Sequence, residues 1–130
     1  MASIFSKIIA GDIPCYQVAE SEHCLAFLDI NPLTKGHLLV IPKIETDYIF
    51  DLENESYIQL HLFAKTVAIA LKKAIKCNRI GITVIGLEVP HAHIHLIPIN
   101  EVSDMNFLNN KLTFTKDEFL ETANSIASFL

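Results

Sequence analysis

Positive charge is scarce in this chain: ten Lys and Arg stand against fifteen Asp and Glu, a formal net charge of −5, and no basic cluster interrupts the sequence. Binding to a nucleic-acid backbone or an anionic membrane surface needs concentrated positive charge, so those partners are not expected; a single nucleotide remains admissible. Paired cysteines are also missing. Cys15, Cys24 and Cys77 are odd in number, far apart and without a C-x-x-C spacing, which favours free thiols in a reducing compartment. No apolar run approaches the ~18 residues that span a bilayer, and the N-terminus lacks a charged-then-apolar signal pattern. The expectation is a cytoplasmic protein. With 130 residues, about half of them apolar, the chain fits one globular domain with its own core, and no repeat or low-complexity segment divides it.

Periodicity then supplies the elements. Ile4, Phe5, Ile8 and Ile9 predict a short helix over Ile4 to Ala10, stopped by Gly11 and a turn at Asp12-Ile13-Pro14. Tyr16 to Ala19, Cys24 to Ile30, His37 to Ile41, Arg79 to Gly86 and His93 to Ile99 read as five β-prone runs. Between the third and fourth, Leu60, Phe63, Ala64, Val67, Ala70, Leu71, Ala74 and Ile75 recur at helical spacing and predict a long helix from about Asn54 to Lys76. Thr115-Lys116-Asp117-Glu118 is a capping box that opens a C-terminal amphipathic helix. Meander-like strands punctuated by helices imply an α+β fold with an antiparallel sheet.

Half of the six histidines fall within five residues, at His91, His93 and His95. On a strand, alternate side chains share a face, so the three rings would stand together with Cα atoms ~6.6 Å apart while Ala92, Ile94 and Leu96 pack behind them. Three readings follow. The rings could form a polar face satisfied by water and neighbours. They could ligate a metal, with His37 as a third ligand. Or one imidazole could attack phosphorus while others hold the oxygens. Spacing alone does not choose among them.

The His-x-His-x-His segment, Cys24-Leu25-Ala26-Phe27-Leu28-Asp29-Ile30-Asn31-Pro32, Gly36-His37-Leu38-Leu39-Val40-Ile41-Pro42-Lys43 and Ile4 to Pro14 together resemble the histidine triad family, over roughly residues 3 to 99. The nearest likeness is to its small Hint-like branch, symmetric dimers that hydrolyse nucleoside phosphoramidates and related nucleotides. That resemblance implies a five-stranded antiparallel sheet with a long helix, a short N-terminal helix and a C-terminal helix, and a variable segment 100–130. It implies a homodimer acting on a purine nucleotide or nucleoside phosphoramidate, with no metal or other cofactor required. His93 would be the nucleophile, His95 and His37 would flank the phosphate, and Asp29 would accept from the ribose hydroxyls. Phe5, Ile8, Ile13, Phe27, Ile30 and Leu39 would form the slot for the base. Each of these apolar residues is also readable as plain core, and Asp29 as a turn residue ahead of Pro32.

Two departures from the family pattern matter. Where many relatives carry zinc ligands, this chain has Ser3, Ser6 and Glu45, so only His91 of that set remains and no structural zinc is expected. Glu45 is predicted to pair with His91 and favour its protonated form, or else to be a solvated loop residue. The connection before the triad is shortened to Leu87-Glu88-Val89-Pro90, placing Leu87 and Glu88 where polar phosphate contacts are usual. Glu88 would contact the leaving group or lie free on the surface. A metal-dependent hydrolase, or a nucleotide-binding or interaction protein with little turnover, are the competing readings.

Overall fold

The computed structural model describes residues 2–130. Its elements run α1 (Ile4–Ile9), β1 (Gln17–Glu20), β2 (Cys24–Leu28), β3 (Leu38–Pro42), α2 (Asn54–Ala74), β4 (Arg79–Thr83), β5 (Ile94–Ile99) and α3 (Lys116–Ala127), with short 3-10 turns at Ile49–Asp51 and Val102–Met105. The five strands form one sheet in the order β1-β2-β3-β5-β4, every neighbouring pair antiparallel. The chain crosses by α2 from β3 to the edge strand β4, then returns through β5 into the gap between them. The histidine-bearing strand therefore lies inside the sheet, with Leu39 paired to His95 on one side and Thr83 to His95 on the other.

Strand alternation divides the core. Ala26, Leu28, Leu38, Val40, Ile94 and Leu96 face α2 and α3 and pack with Leu60, Val67, Leu71 and Ile126. Leu25, Phe27, Leu39 and Ile41 face the other way into a smaller cluster closed by Phe5 of α1. Ala92, Ile94 and Leu96 do pack behind the histidines as their alternation predicts. At about 25 cal/mol per Å² of apolar surface, the first cluster is the principal source of stability, and the second, thinner one leaves room for a site. The Thr115–Glu118 capping box forms as expected, each side chain accepting from the other's backbone N–H.

Several strands are shorter than their apolar runs. β2 stops at Leu28 because the Asn31 N–H turns back onto Asp29 Oδ1 at 2.8 Å. β4 stops at Thr83, which pairs with His95 one residue from the start of β5 at Ile94. β5 starts only at Ile94, since the Ala92 N–H bonds to the Thr46 carbonyl at 2.7 Å and so leaves the ladder. Gly36 delivers the chain to His37 with φ of +91°, and a Cβ there would lie 3.0 Å from Ile75 Cγ1. Only glycine meets both the left-handed backbone and that close approach to the end of α2.

Candidate active site

Four imidazoles converge where β3 and β5 meet α1. His37, His91, His93 and His95 are all buried, and their polar partners fix which nitrogen of each carries the proton. Every side-chain nitrogen or oxygen that is itself fully enclosed has a partner among the described residues.

His93 is the central ring. Its Nδ1 lies 2.7 Å from the carbonyl of His91, an acceptor only, so Nδ1 carries the hydrogen and Nε2 keeps its lone pair. The edge of Phe5 packs against it with ring centres 5.1 Å apart, and His95 follows at 5.0 Å.

His95 takes its proton position from a chain that begins on the backbone. The Leu33 N–H donates to His37 Nδ1 at 3.0 Å, so His37 must carry its hydrogen on Nε2; that N–H donates to His95 Nδ1, also at 3.0 Å, leaving His95 with an N–H on Nε2. Burial first, then the neighbouring imidazoles, hold His37 at about 3 and His95 at about 4, so both are neutral near pH 7. His37 was expected to flank the phosphate beside His95. Instead it is 1% exposed, and its single N–H is committed to His95, so it stands behind that ring. Phe107 closes the same side, its ring 5.0 Å from His95 and 6.1 Å from His37.

His91 is held by oxygen. Its Nε2–H donates to the Pro42 carbonyl at 2.8 Å, and the Ser3 hydroxyl donates to Nδ1 at 2.9 Å. Ser3 is also the N-cap of α1, its Oγ accepting from the Ser6 N–H at 3.0 Å. Glu45 accepts from the Ser3 N–H and, at 2.7 Å, from the Ser6 hydroxyl. The expected Glu45–His91 pair is therefore corrected: the two serines stand between carboxylate and ring. His91 is not favoured in its charged form either, because burial is the largest influence and lowers its pKa, while the Ser3 and Ser6 donors hold Glu45 well below the carboxylate range. Zinc does not fit this set. Both ring nitrogens of His91 are engaged, and two hydroxyls replace thiolates.

Engaged lone pairs also disfavour a metal at a second cluster. Asp29, His37 and His95 bring one potential ligand atom each within 4.8 Å of one another. His37, however, has its Nδ1 lone pair taken by the Leu33 N–H and its hydrogen on Nε2, so the neutral ring has no nitrogen free for a cation. Asp29 Oδ1 accepts from the Asn31 N–H, as the turn reading expects, and Oδ2 lies 3.6 Å from His37 Nε2. Burial raises the Asp29 pKa, and the charge of Glu88 adds to that as the smallest contribution.

Of the expected base slot, Phe5, Phe27 and Leu39 are buried together and Ile8 packs on them; Ile30 is 65% exposed and Ile13 is half-buried outside that cluster. Leu87 is 88% exposed and Glu88 is also exposed. Two groups escaped the sequence reading. As zinc ligands the serines are poor, but Ser3 directly before a helical pattern is also an N-cap signal. Phe107 lies in a segment with no periodicity and gave none.

Buried, proton-specified imidazoles surround one ring nitrogen whose lone pair is unengaged, on an antiparallel α+β scaffold. The model of the HIT domain family matches residues 10–102, and the chain belongs to that family. It is 36% identical over 132 residues to an uncharacterised HIT-like protein of Borreliella burgdorferi, covering 95% of each chain. The adenosine 5′-monophosphoramidase of Schizosaccharomyces pombe is 40% identical over 103 residues, 75% of this chain and 74% of that protein. Among solved structures, a HIT-like protein of Bartonella henselae superposes with a TM-score of 0.87 at 30% identity, covering 98% of this chain and 96% of that one. These relatives support nucleotide hydrolysis at the level of the family.

Proposed function

We propose that this protein hydrolyses, or transfers from, nucleoside phosphoramidates and related nucleotides by attack of His93 on the α-phosphorus. The observation that carries this reading is the 2.7 Å bond from His93 Nδ1–H to the His91 carbonyl, which leaves Nε2 unprotonated and stabilises the positive charge the ring gains on forming a bond. In the first step an Nε2–P bond forms and the bond to the leaving group breaks; a departing amine takes a proton from water. In the second, water attacks phosphorus, the Nε2–P bond breaks, and the nucleoside monophosphate leaves. His95 Nε2–H donates to a phosphoryl oxygen as charge builds on it. His37 keeps that N–H in place. Asp29 Oδ2 accepts from a ribose hydroxyl, and the Phe5, Phe27 and Leu39 side bears the base.

A homodimer completes the reading. Ile58, Leu62 and Ile69 are at least half exposed along one side of α2, and Ile82 is 57% exposed on the edge strand β4. A second copy would bury this apolar face and satisfy the open edge. No helix among the described residues is long and apolar enough to cross a membrane.

Mixing the protein with adenosine 5′-phosphoramidate and recording its intact mass tests the chemistry. A transient gain of one nucleotidyl group, absent in His93→Ala, is expected. Full-rate turnover by His93→Ala contradicts the nucleophile assignment, and tight monophosphate binding without hydrolysis of any substrate would favour a binding protein instead.

A further inference from the structure

A phosphate is an anion, yet the strands that hold the imidazoles offer it no fixed positive charge. β3 and β5 contain no Lys or Arg, and His37, His91 and His95 are neutral near pH 7 because burial lowers each of them. Glu88 adds a negative field at Asp29. A cation comes instead from the segment after β5. Asn106 to Asn109 is a turn closed by the Asn109 N–H on the Asn106 carbonyl at 3.0 Å, and the Leu112 N–H ties the chain to the Pro32 carbonyl at 2.9 Å. This strap sets the Phe107 ring against both His95 and His37. Lys111 Nζ stands 6.0 Å from the centre of that same ring, donating to the Phe107 carbonyl at 2.6 Å and to the Asn109 carbonyl at 3.2 Å. Two carbonyls thus fix the ammonium, and no acceptor among the described residues takes its third N–H.

We infer that Lys111 is the cationic binding residue of this site, drawing the anionic phosphate of the nucleotide from the strap toward the neutral imidazoles beside Phe107. The inference rests on the nucleotide reading above and adds a binding residue to it. Three observations converge. The ammonium is held against a ring that itself packs on the donor His95, so its position is set relative to the site. Its field reaches the site from there. At Asp29 burial raises the pKa while the Asn31 N–H, His93 and then Lys111 lower it; at His37 burial and His95 act first and Lys111 adds to them. The other lysines of this half are occupied: Lys43 pairs with Glu20 at 2.6 Å, and the charge of Lys35 adds to the Thr115 bonds that lower Glu118. A compact ammonium with one N–H uncommitted can turn that N–H to a phosphoryl oxygen without leaving its two carbonyls. A lysine that only stapled the strap would matter equally to charged and uncharged ligands.

The test compares dissociation constants of adenosine 5′-monophosphate and of adenosine, read from ¹H–¹⁵N shift titrations of the wild type, Lys111→Gln and Lys111→Arg. Gln can still donate to the strap carbonyls but carries no charge. It should weaken the monophosphate by about 5- to 20-fold and adenosine by less than about twofold. Arg should recover most of the loss. Raising salt from about 0.05 M to about 0.5 M should weaken the monophosphate more in the wild type than in Lys111→Gln, narrowing the gap between them. Equal losses for the two ligands, or an unchanged monophosphate affinity in Lys111→Gln, overturn the inference; turnover of adenosine 5′-phosphoramidate by the wild type then still supports the hydrolase reading. A wild type that binds neither ligand overturns both.

Discussion

The two histidines that flank His93 in sequence are anchored in opposite ways. His91 is held by oxygens, the Ser3 hydroxyl and the Pro42 carbonyl, in a network that ends on an exposed carboxylate, Glu45. His95 is held by another imidazole, in a chain that ends on a buried neutral donor, the Leu33 N–H. Both arrangements end with the hydrogen on Nε2, yet they leave it doing different work. On His91 it is spent on the backbone, so the residue acts through its own carbonyl, which orients His93. On His95 no protein partner consumes it, and in the proposed mechanism it donates to a phosphoryl oxygen. Identical residue types four positions apart thus become a support and a donor because of what stands behind each.

Removing the ring between the two anchors should have the largest effect. His93→Ala is expected to lower kcat by at least about 10³-fold while leaving the fold unchanged, read by single-turnover kinetics beside circular dichroism. His95→Ala, which deletes the donor, should cost about 10²–10³-fold in kcat with a smaller change in KM. His37→Leu keeps the donor but frees its tautomer, so it should cost less than His95→Ala; a greater loss would mean that His37 itself touches substrate.

Acid should also separate the anchors. The folded-state pKa values of His37 and His95, about 3 and about 4, lie below the ordinary value of about 6.5, so the unfolded chain takes up protons first. Their contribution to stability is fully present above about pH 6.5 and is lost as pH falls toward 4, with a slope of up to about 1.4 kcal/mol per pH unit for each ring. Urea titrations between pH 7 and 4.5 should show that slope, and His37→Leu should reduce it. The lowered Glu45 pKa acts only at still lower pH, its stabilisation being lost as pH falls below the ordinary carboxylate range. The smallest effect is expected at the oxygen anchor: Ser3→Ala removes an N-cap and the His91 donor, for about 1–2 kcal/mol of stability and a several-fold loss in kcat.

How far the sequence carried differs between these regions for a physical reason. The five strands, long helix and capping box were legible because apolar spacing and cap chemistry are local. The roles of His37 and Glu45 were not, because a proton's position depends on partners from other elements: Leu33 in a loop sets His37, and two serines of the first turn intervene before Glu45. The pre-triad loop showed the same limit. Leu87 and Glu88 signalled lost polar contacts, but not that Tyr48, Phe50 and His61, distant in sequence, would wall the space beside His93.

The most direct test of the account reads the protons themselves. Long-range ¹H–¹⁵N spectra of the histidine rings at pH 7 should show His93 alone of the four buried imidazoles as the Nδ1–H tautomer, with His37, His91 and His95 all Nε2–H. A proton on Nε2 of His93, or on Nδ1 of His37, would contradict it.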